Sequence, residues 1–335
     1  MLHNRFRGQG LALDAPYPSI DGEAPRHLLV RCPVHAATPL VDAPGLARRA
    51  GVASLHVKDE RGRMGLGSFK ALGAAYVIAR DAAGGQASGR GYVTASAGNH
   101  GLSVAAGARV FGAQSIVYLA RTVPEGFADR LRAQGAEVRR AGADYAASMA
   151  AAETAAHDEG LVLLSDSSWA GYSEIPHRLM EGYLVLAAEA AEQMPWPPTH
   201  ILLQAGVGGL AGAVAAHARH VWGEAPIIVV VEPEAAPALH DAIAAGKSVD
   251  AQGPASCMGR LDCKRASWIA LRGLSRDADG FALLSEGQAQ AAMPVLARAG
   301  LATTPSGGAG LAALLAGLDL PADARVIAIL SEAPE

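Results

Sequence analysis

Lysine is scarce in this 335-residue chain: of 28 basic residues only Lys58, Lys70, Lys247 and Lys264 are lysine, and the rest are arginine. Charge of one sign is lacking too, with 32 acidic residues and a net charge of −4. That balance gives no basic field to attract nucleic acid or an anionic membrane. Charged residues reach only 18%, below the roughly 25% of an average domain. Half of the chain is hydrophobic, which excludes a disordered polymer and demands extensive burial. The three cysteines, Cys32, Cys257 and Cys263, are odd in number and lack CxxC spacing, so no zinc site or redox motif is read and a reducing compartment is expected. No uninterrupted apolar run reaches the roughly 18 residues of a membrane span, and the first ten residues carry Arg5 and Arg7 with no apolar stretch behind them. The expectation is a soluble, cytoplasmic protein with no nucleic-acid or membrane partner.

What is present is alternation. Short apolar runs at 54–57, 91–94, 115–119, 137–139, 161–164, 200–203, 227–231 and 325–330 are separated by Ala-rich helical stretches such as 101–110 and 210–221. Strands apolar on both faces and spaced by helices indicate an α/β fold with mostly parallel sheets. At about 150 residues per domain the length allows two. The spacing predicts a small α/β domain at 85–170, inserted into a large domain made of 1–84 plus 171–335. The segment Met194-Pro-Trp-Pro-Pro198 marks a break before the next strand.

Three segments carry chemistry. The first, Lys58-Asp-Glu-Arg-Gly-Arg-Met-Gly-Leu-Gly-Ser-Phe-Lys70, leads from a strand through a glycine-rich turn into a helix at 71–81. Ser68 reads as its N-cap, which puts Lys70 in the first turn. The positive end of the helix dipole and a desolvating cleft would both lower the lysine pKa, and a neutral amine is a nucleophile toward carbonyls. The second, Thr94-Ala-Ser-Ala-Gly-Asn-His-Gly101, is a loop of small residues that lets a ligand approach the backbone, with Asn99 and His100 as polar contacts. The third, Gln204-Ala-Gly-Val-Gly-Gly-Leu210, follows a strand and opens a helix, so its consecutive amides can cradle a phosphate. The same loop reads as G-x-G-x-x-A with Glu232 after the next strand, the pattern of a nicotinamide dehydrogenase.

Taken in order, Ser-Phe-Lys70, Ser-Ala-Gly-Asn-His100, the Gly-Val-Gly-Gly loop and Ile329-Leu-Ser331 resemble the fold-type II pyridoxal-phosphate enzymes, whose fold is like the tryptophan synthase β chain. Within them the chain is most similar to the diaminopropionate ammonia-lyase family. The similarity is carried by Ala37-Thr-Pro-Leu40, Val57-Lys-Asp-Glu60, residues 65–70, 175–183 with Met180-Glu-Gly-Tyr, 199–214, and Met258-Gly-Arg-Leu-Asp-Cys263. The resemblance implies two parallel-sheet α/β domains with pyridoxal 5'-phosphate in the cleft between them, and a homodimer. It implies that Lys70 holds the cofactor and acts as the base at Cα. Gly206, Val207, Gly208, Gly209 and Leu210 would bind the phosphate, Asn99 the ring hydroxyl and Ser331 the pyridine nitrogen, while Ser96, Ala97, Gly98 and His100 would line the substrate. The reaction implied is α,β-elimination from a small β-substituted L-amino acid, giving a 2-oxo acid and ammonia, a step of amino-acid catabolism.

Departures from the family bear on the substrate. The aspartate that precedes Gly-Asn-His in diaminopropionate lyases is Ala97 here, so no proton acceptor is expected opposite Lys70 and L-substrates are expected. Their Gly-Glu-Pro after the cysteine is Lys264-Arg265-Ala266, which favours an anionic or hydroxylated side chain if the lost glutamate attracted an amine. In Thr304-Pro-Ser306 the usual acidic residue before Ser-Gly is absent. L-serine, L-threonine or 3-hydroxyaspartate dehydration is therefore the alternative reaction, and a nicotinamide dehydrogenase or a non-catalytic amino-acid sensor the alternative of a different class. No metal site is read. His217 and His220 share a helix face as packing residues, and Lys58 belongs to the structural approach to Lys70.

Overall fold

The computed structural model describes residues 1–334. Its strands, in chain order, are β1 (Leu2–His3), β2 (Leu40–Asp42), β3 (Ser54–Asp59), β4 (Gly91–Ala95), β5 (Gln114–Leu119), β6 (Glu137–Arg140), β7 (Val162–Leu163), β8 (His200–Gln204), β9 (Ile227–Pro233), β10 (Gly280–Leu284) and β11 (Arg325–Leu330). They form two sheets. A seven-stranded sheet has the order β1-β10-β9-β8-β11-β3-β2, and a four-stranded sheet the order β6-β5-β4-β7. The smaller sheet is parallel throughout, whereas the larger has a parallel centre with β1 and β2 antiparallel at its edges. Strands β3, β8, β9 and β11 are buried along nearly their whole length, which requires helices on both faces. Among the described residues no helix is long and apolar enough to cross a membrane.

All eight expected strands exist, with ends shifted by a residue or two. Three further strands were not expected. β1 and β2 have two and three residues and carry no readable period, and β10 follows directly on the polar turn Asp277-Ala-Asp-Gly280. The expected N-cap at Ser68 is corrected as well: the helix is Lys70–Ala83, its cap position is Phe69, and no side chain caps it. Ser68 lies instead in an antiparallel bridge with Glu332, and its Oγ accepts from the Lys70 amide at 3.3 Å. Extended pairing with the end of the chain has replaced capping.

Two helices fix the centre of the molecule. A Cβ on Gly73, in Lys70–Ala83, would lie 2.7 Å from Tyr183 Cε1 and 2.9 Å from Leu179, and one on Gly182, in Glu174–Gln193, would lie 2.6 Å from the Leu72 carbonyl. Only glycine on both sides permits this approach. Beside it sits a cluster of buried charge. Arg63, fully buried, donates to Glu60 at 2.7 and 2.8 Å and to Glu189 at 2.7 and 2.9 Å. Lys58, also fully buried, donates to Glu189 at 2.7 Å, to the Thr38 carbonyl at 2.7 Å and to Gln193 at 2.9 Å. Two cations thus meet two carboxylates from different segments, which fastens the turn between β3 and Lys70 to helix Glu174–Gln193. The turn is bent hard there: Met64 has φ of 50°, the only non-glycine left-handed residue described.

Breaking a buried pair from one side leaves its partners uncompensated, at a cost of about 3–5 kcal/mol. Glu189→Ala should therefore lower stability by that order in urea unfolding, and Glu189→Gln, which keeps an acceptor, by less.

Candidate active site

Four loops that leave the carboxyl ends of strands meet in the cleft between the two sheets, the region where open α/β sheets bind ligands. After β3 the chain turns into helix Lys70–Ala83; after β4 it enters helix Asn99–Val110 at Ala97 and Gly98; after β8 it forms the Gly206–Gly208 turn into helix Gly209–Trp222; and after β11 it reaches Ser331 and Glu332. Gly208 is left-handed, with φ of 97°, and a Cβ there would lie 2.9 Å from Ala270 Cβ. A Cβ on Gly206 would lie 3.0 Å from Cys263 Sγ and 3.2 Å from the Arg260 carbonyl. Among the described residues no backbone carbonyl accepts from the amides of Gly206, Val207 or Gly208, so the turn presents donors at a helix N-terminus. Leu210, buried, follows in the helix.

Lys70 forms an ion pair with Asp166, which lies just after β7. Burial alone would lower the ammonium pKa, but the adjacent Asp166 carboxylate outweighs it and the pKa is raised. The expected lowering of Lys70 is thereby corrected. Burial also opposes ionisation of Asp166, yet Lys70 and then His100 hold its carboxyl well below the usual range. Asp166 was not read from the sequence, and its only signal was its place directly after a strand in Leu164-Ser-Asp166-Ser-Ser. Tyr183 packs against the same lysine: its ring is 4.9 Å from that of Phe69, edge to face, and Lys70 Nζ is 6.0 Å from its centroid. Burial, with Asp166 nearby, pushes the Cys263 thiol up to about 12, so it stays protonated at neutral pH.

On the far side of the cleft Asn99 Nδ2 donates to Glu332 Oε2 at 2.5 Å. Glu332 is buried, and its carboxylate also takes the Thr304 hydroxyl and the Arg260 guanidinium, whose Nε stands 3.1 Å from Oε2. Glu332 thus brings a carboxylate to Thr304, two residues before Ser306. Ser331, buried beside it, donates its amide to the Gly307 carbonyl at 3.1 Å. The Ser96 hydroxyl accepts from the Gly98 amide at 3.2 Å and so shapes the loop, and Ala97 lines the opening. His100 is buried, its Nε2 2.8 Å from the Leu164 carbonyl, and burial lowers its pKa. It packs behind the loop. Arg260 and Glu332 were missed because neither falls in a glycine-rich turn and each meets its partners from far away in sequence.

Two expectations fail here. Lys264 pairs with Asp262 at 2.7 Å and donates to the Ala235 and Pro254 carbonyls, and Arg265 pairs with Asp250 on the exposed rim. Both charges are spent locally, so neither argues for an anionic substrate. Glu232, fully buried, accepts from the amides of Leu239 and His240, each at 2.7 Å, and burial pushes it up to about 8. It secures the start of helix Ala238–Ala245 and is not placed to hold a ribose. Among the described residues no group of three His, Cys, Asp or Glu side chains is disposed to hold a metal ion.

A family model described as pyridoxal-phosphate dependent enzyme matches residues 32–332. Diaminopropionate ammonia-lyase of Salmonella typhimurium is 35% identical over 63% of this chain and 58% of its own length. The enzyme of that name from Escherichia coli K12 is 32% identical over 70% of this chain and 65% of its own length. The matched region therefore spans less than two thirds of these relatives. A human serine dehydratase-like protein is 29% identical over 89% of this chain and 87% of its own. The crystal structure of the Escherichia coli lyase with an aminoacrylate-PLP azomethine reaction intermediate superposes with a TM-score of 0.88 at 28% identity, covering 99% of this chain and 92% of that one. The same lyase in complex with D-serine also gives 0.88.

A side chain at Gly208 would meet both left-handed strain and the contact with Ala270. Gly208→Ala should cost about 1–3 kcal/mol in stability and weaken pyridoxal phosphate measurably in an equilibrium titration.

Proposed function

The chain belongs to the pyridoxal-phosphate-dependent enzyme family, and from that premise we propose that it is an ammonia-lyase that converts L-2,3-diaminopropionate and water to pyruvate and two ammonia. The residues fit the cofactor: an open amide turn with glycine at 206 and 208, a lysine within the cleft, and an asparagine and a serine on the opposite wall. Gly206, Val207, Gly208, Gly209 and Leu210 would hold its phosphate, Lys70 its aldehyde, Asn99 its ring hydroxyl and Ser331 its pyridine nitrogen. Bound there, it supplies the electron sink for a carbanion at Cα. On this reading the lobe limits stay at 85 and 170, the protein is a homodimer, as the resemblance implies, and it is cytoplasmic, as the unpaired cysteines suggest.

The observation that carries the reading is the Lys70–Asp166 pair. With Lys70 engaged by the cofactor, Asp166, half-buried at the cleft, would lack its ammonium partner, and a carboxylate so placed favours another cation. A β-ammonium meets that need, and a β-hydroxyl does not. Lys70 Nζ would be the group that takes the Cα proton, and the same Nζ could return a proton to the departing amine. Ser331, a neutral hydroxyl, does not enforce ring protonation and so suits elimination. Ala97 leaves the face opposite Lys70 without an acid or base on that loop, which restricts proton removal to L-substrates. Ala97 within Ser-Ala-Gly-Asn is also what favours the second reading, dehydration of L-serine or L-threonine.

Lys70→Ala should abolish both the visible absorption of the bound cofactor and the mass fixed on the protein by borohydride. Pyruvate release from L-2,3-diaminopropionate should exceed that from the D-isomer at least about tenfold, and equal rates would overturn the stereochemical assignment. Asp166→Asn should raise KM for diaminopropionate more than for L-serine; equal changes for both would remove the case for a cationic β-group.

A further inference from the structure

Lys264 is one of four lysines in a chain that otherwise uses arginine, and it stands where three segments meet. Its Nζ donates to the Ala235 carbonyl at 2.7 Å and to the Pro254 carbonyl at 2.9 Å, and lies 2.7 Å from Asp262 Oδ1. Among the described residues no other donor reaches either carbonyl. Ala235 belongs to the turn after β9, Pro254 to the loop 250–256 and Asp262 to the stretch 258–263. An ammonium carries three donors around one point, and here each has an oxygen of its own. The planar fork of an arginine suits a pair of parallel oxygens instead, as at the next residue, where Arg265 grips both oxygens of Asp250. The loop 250–256 is fastened to the same place along its length. The Ala251 amide donates to the Lys264 carbonyl at 2.8 Å, a Cβ on Gly253 would lie 2.1 Å from the Ala235 carbonyl oxygen, and the Ser256 amide donates to Asp262 Oδ2 at 3.1 Å.

What this ammonium braces is the back of the amide turn. Asp262 is the centre of a tight turn in which the Cys263 amide donates to the Leu261 carbonyl at 2.8 Å. Its two neighbours form the wall against which Gly206 rests: a Cβ there would lie 3.1 Å from Leu261 Cα and 3.0 Å from Cys263 Sγ. With glycine at 206 and 208 the turn has little side chain to hold its own shape, so its donors point where the wall behind them allows. We propose that Lys264 is a positioning residue for the cofactor phosphate: by gathering Ala235, Pro254 and Asp262, its ammonium fixes the wall that aims the amides of Gly206, Val207 and Gly208. It acts through Asp262 and the Leu261–Cys263 wall. The assignment rests on the reading that puts the phosphate at this turn. The Lys264 side chain is 36% exposed, so solvent screens part of its charge, and the expected effect is about tenfold rather than the far larger loss of a sealed ion pair.

The test titrates the full chain, stripped of cofactor, with pyridoxal phosphate and with pyridoxal, which lacks the phosphate, and follows the absorption of the bound ligand. The wild type should prefer the phosphorylated form at least about a hundredfold. Lys264→Met should weaken pyridoxal phosphate by about tenfold and leave pyridoxal within about twofold of the wild type. Lys264→Arg, which keeps the charge but not the three-way geometry, should lose about threefold and serves if the methionine variant does not fold. Asp262→Asn should weaken pyridoxal phosphate to a similar extent, and joining it to Lys264→Met should add almost nothing to the loss. Equal weakening of both ligands would mean a general loosening of the structure, and a wild-type preference kept in every Lys264 variant that folds would mean that the wall stands without its brace. Either result, or fully additive losses in the double variant, would overturn the assignment alone. A wild type that binds both ligands equally would instead sink the phosphate reading, and the assignment with it.

Discussion

The buried meeting of Lys58, Glu60, Arg63 and Glu189 is the constraint on which the rest of the molecule hangs. Its members come from β3, from the turn after it and from helix Glu174–Gln193, so their pairing decides how that turn lies. The turn ends at Lys70. Charge taken out of water on this scale is expensive, and ion pairs so buried contribute little net stability against an apolar core. What they contribute is position: each carboxylate must find its cation in one register. A turn with three glycines and a strained Met64 is held through its own Glu60 and Arg63, which the cluster ties to Glu189.

The α/β class was legible because buried parallel strands leave a period that needs no partner to be seen, and strands β3, β8, β9 and β11 carried it plainly. The places of Lys70 and of the Gly206–Leu210 loop in the cleft were legible for a different reason, since a lysine behind closely spaced glycines and a glycine-rich turn at a helix start stand out locally. Asp166, Arg260 and Glu332 were not legible, because each acquires its role only from a partner far away in sequence: Asp166 from Lys70, and Glu332 from Asn99, Thr304 and Arg260. The same blindness led the local reading of Lys70 astray. Helix dipole and burial both lower a lysine, and only the unseen carboxylate reverses the sign. Lys264 and Arg265 show the converse, where charges that look available in a sequence have neighbours that consume them.

The cleft is organised by charge at its two walls rather than by a ring of hydroxyls. On one wall Lys70 and Asp166 neutralise each other, and on the other Arg260 and Glu332 do. Asn99 links the walls, since it starts a helix beside the smaller sheet and reaches a carboxylate at the end of the larger one. The smaller sheet is therefore not an independent bystander. Any ligand that engages Asn99 competes with, or shares, a contact between the two halves of the protein.

The glycine pair at 73 and 182 has an implication for how such a protein can diverge. Where two helices touch through their backbones, neither position admits any other residue, and the crossing cannot be tuned by small steps. Change in substrate is then left to side chains that line the cleft without holding it together, such as Ala97. The crossing thus acts as a hinge pin in the history of the sequence: it holds Lys70, three residues before Gly73 on the same helix, where it is.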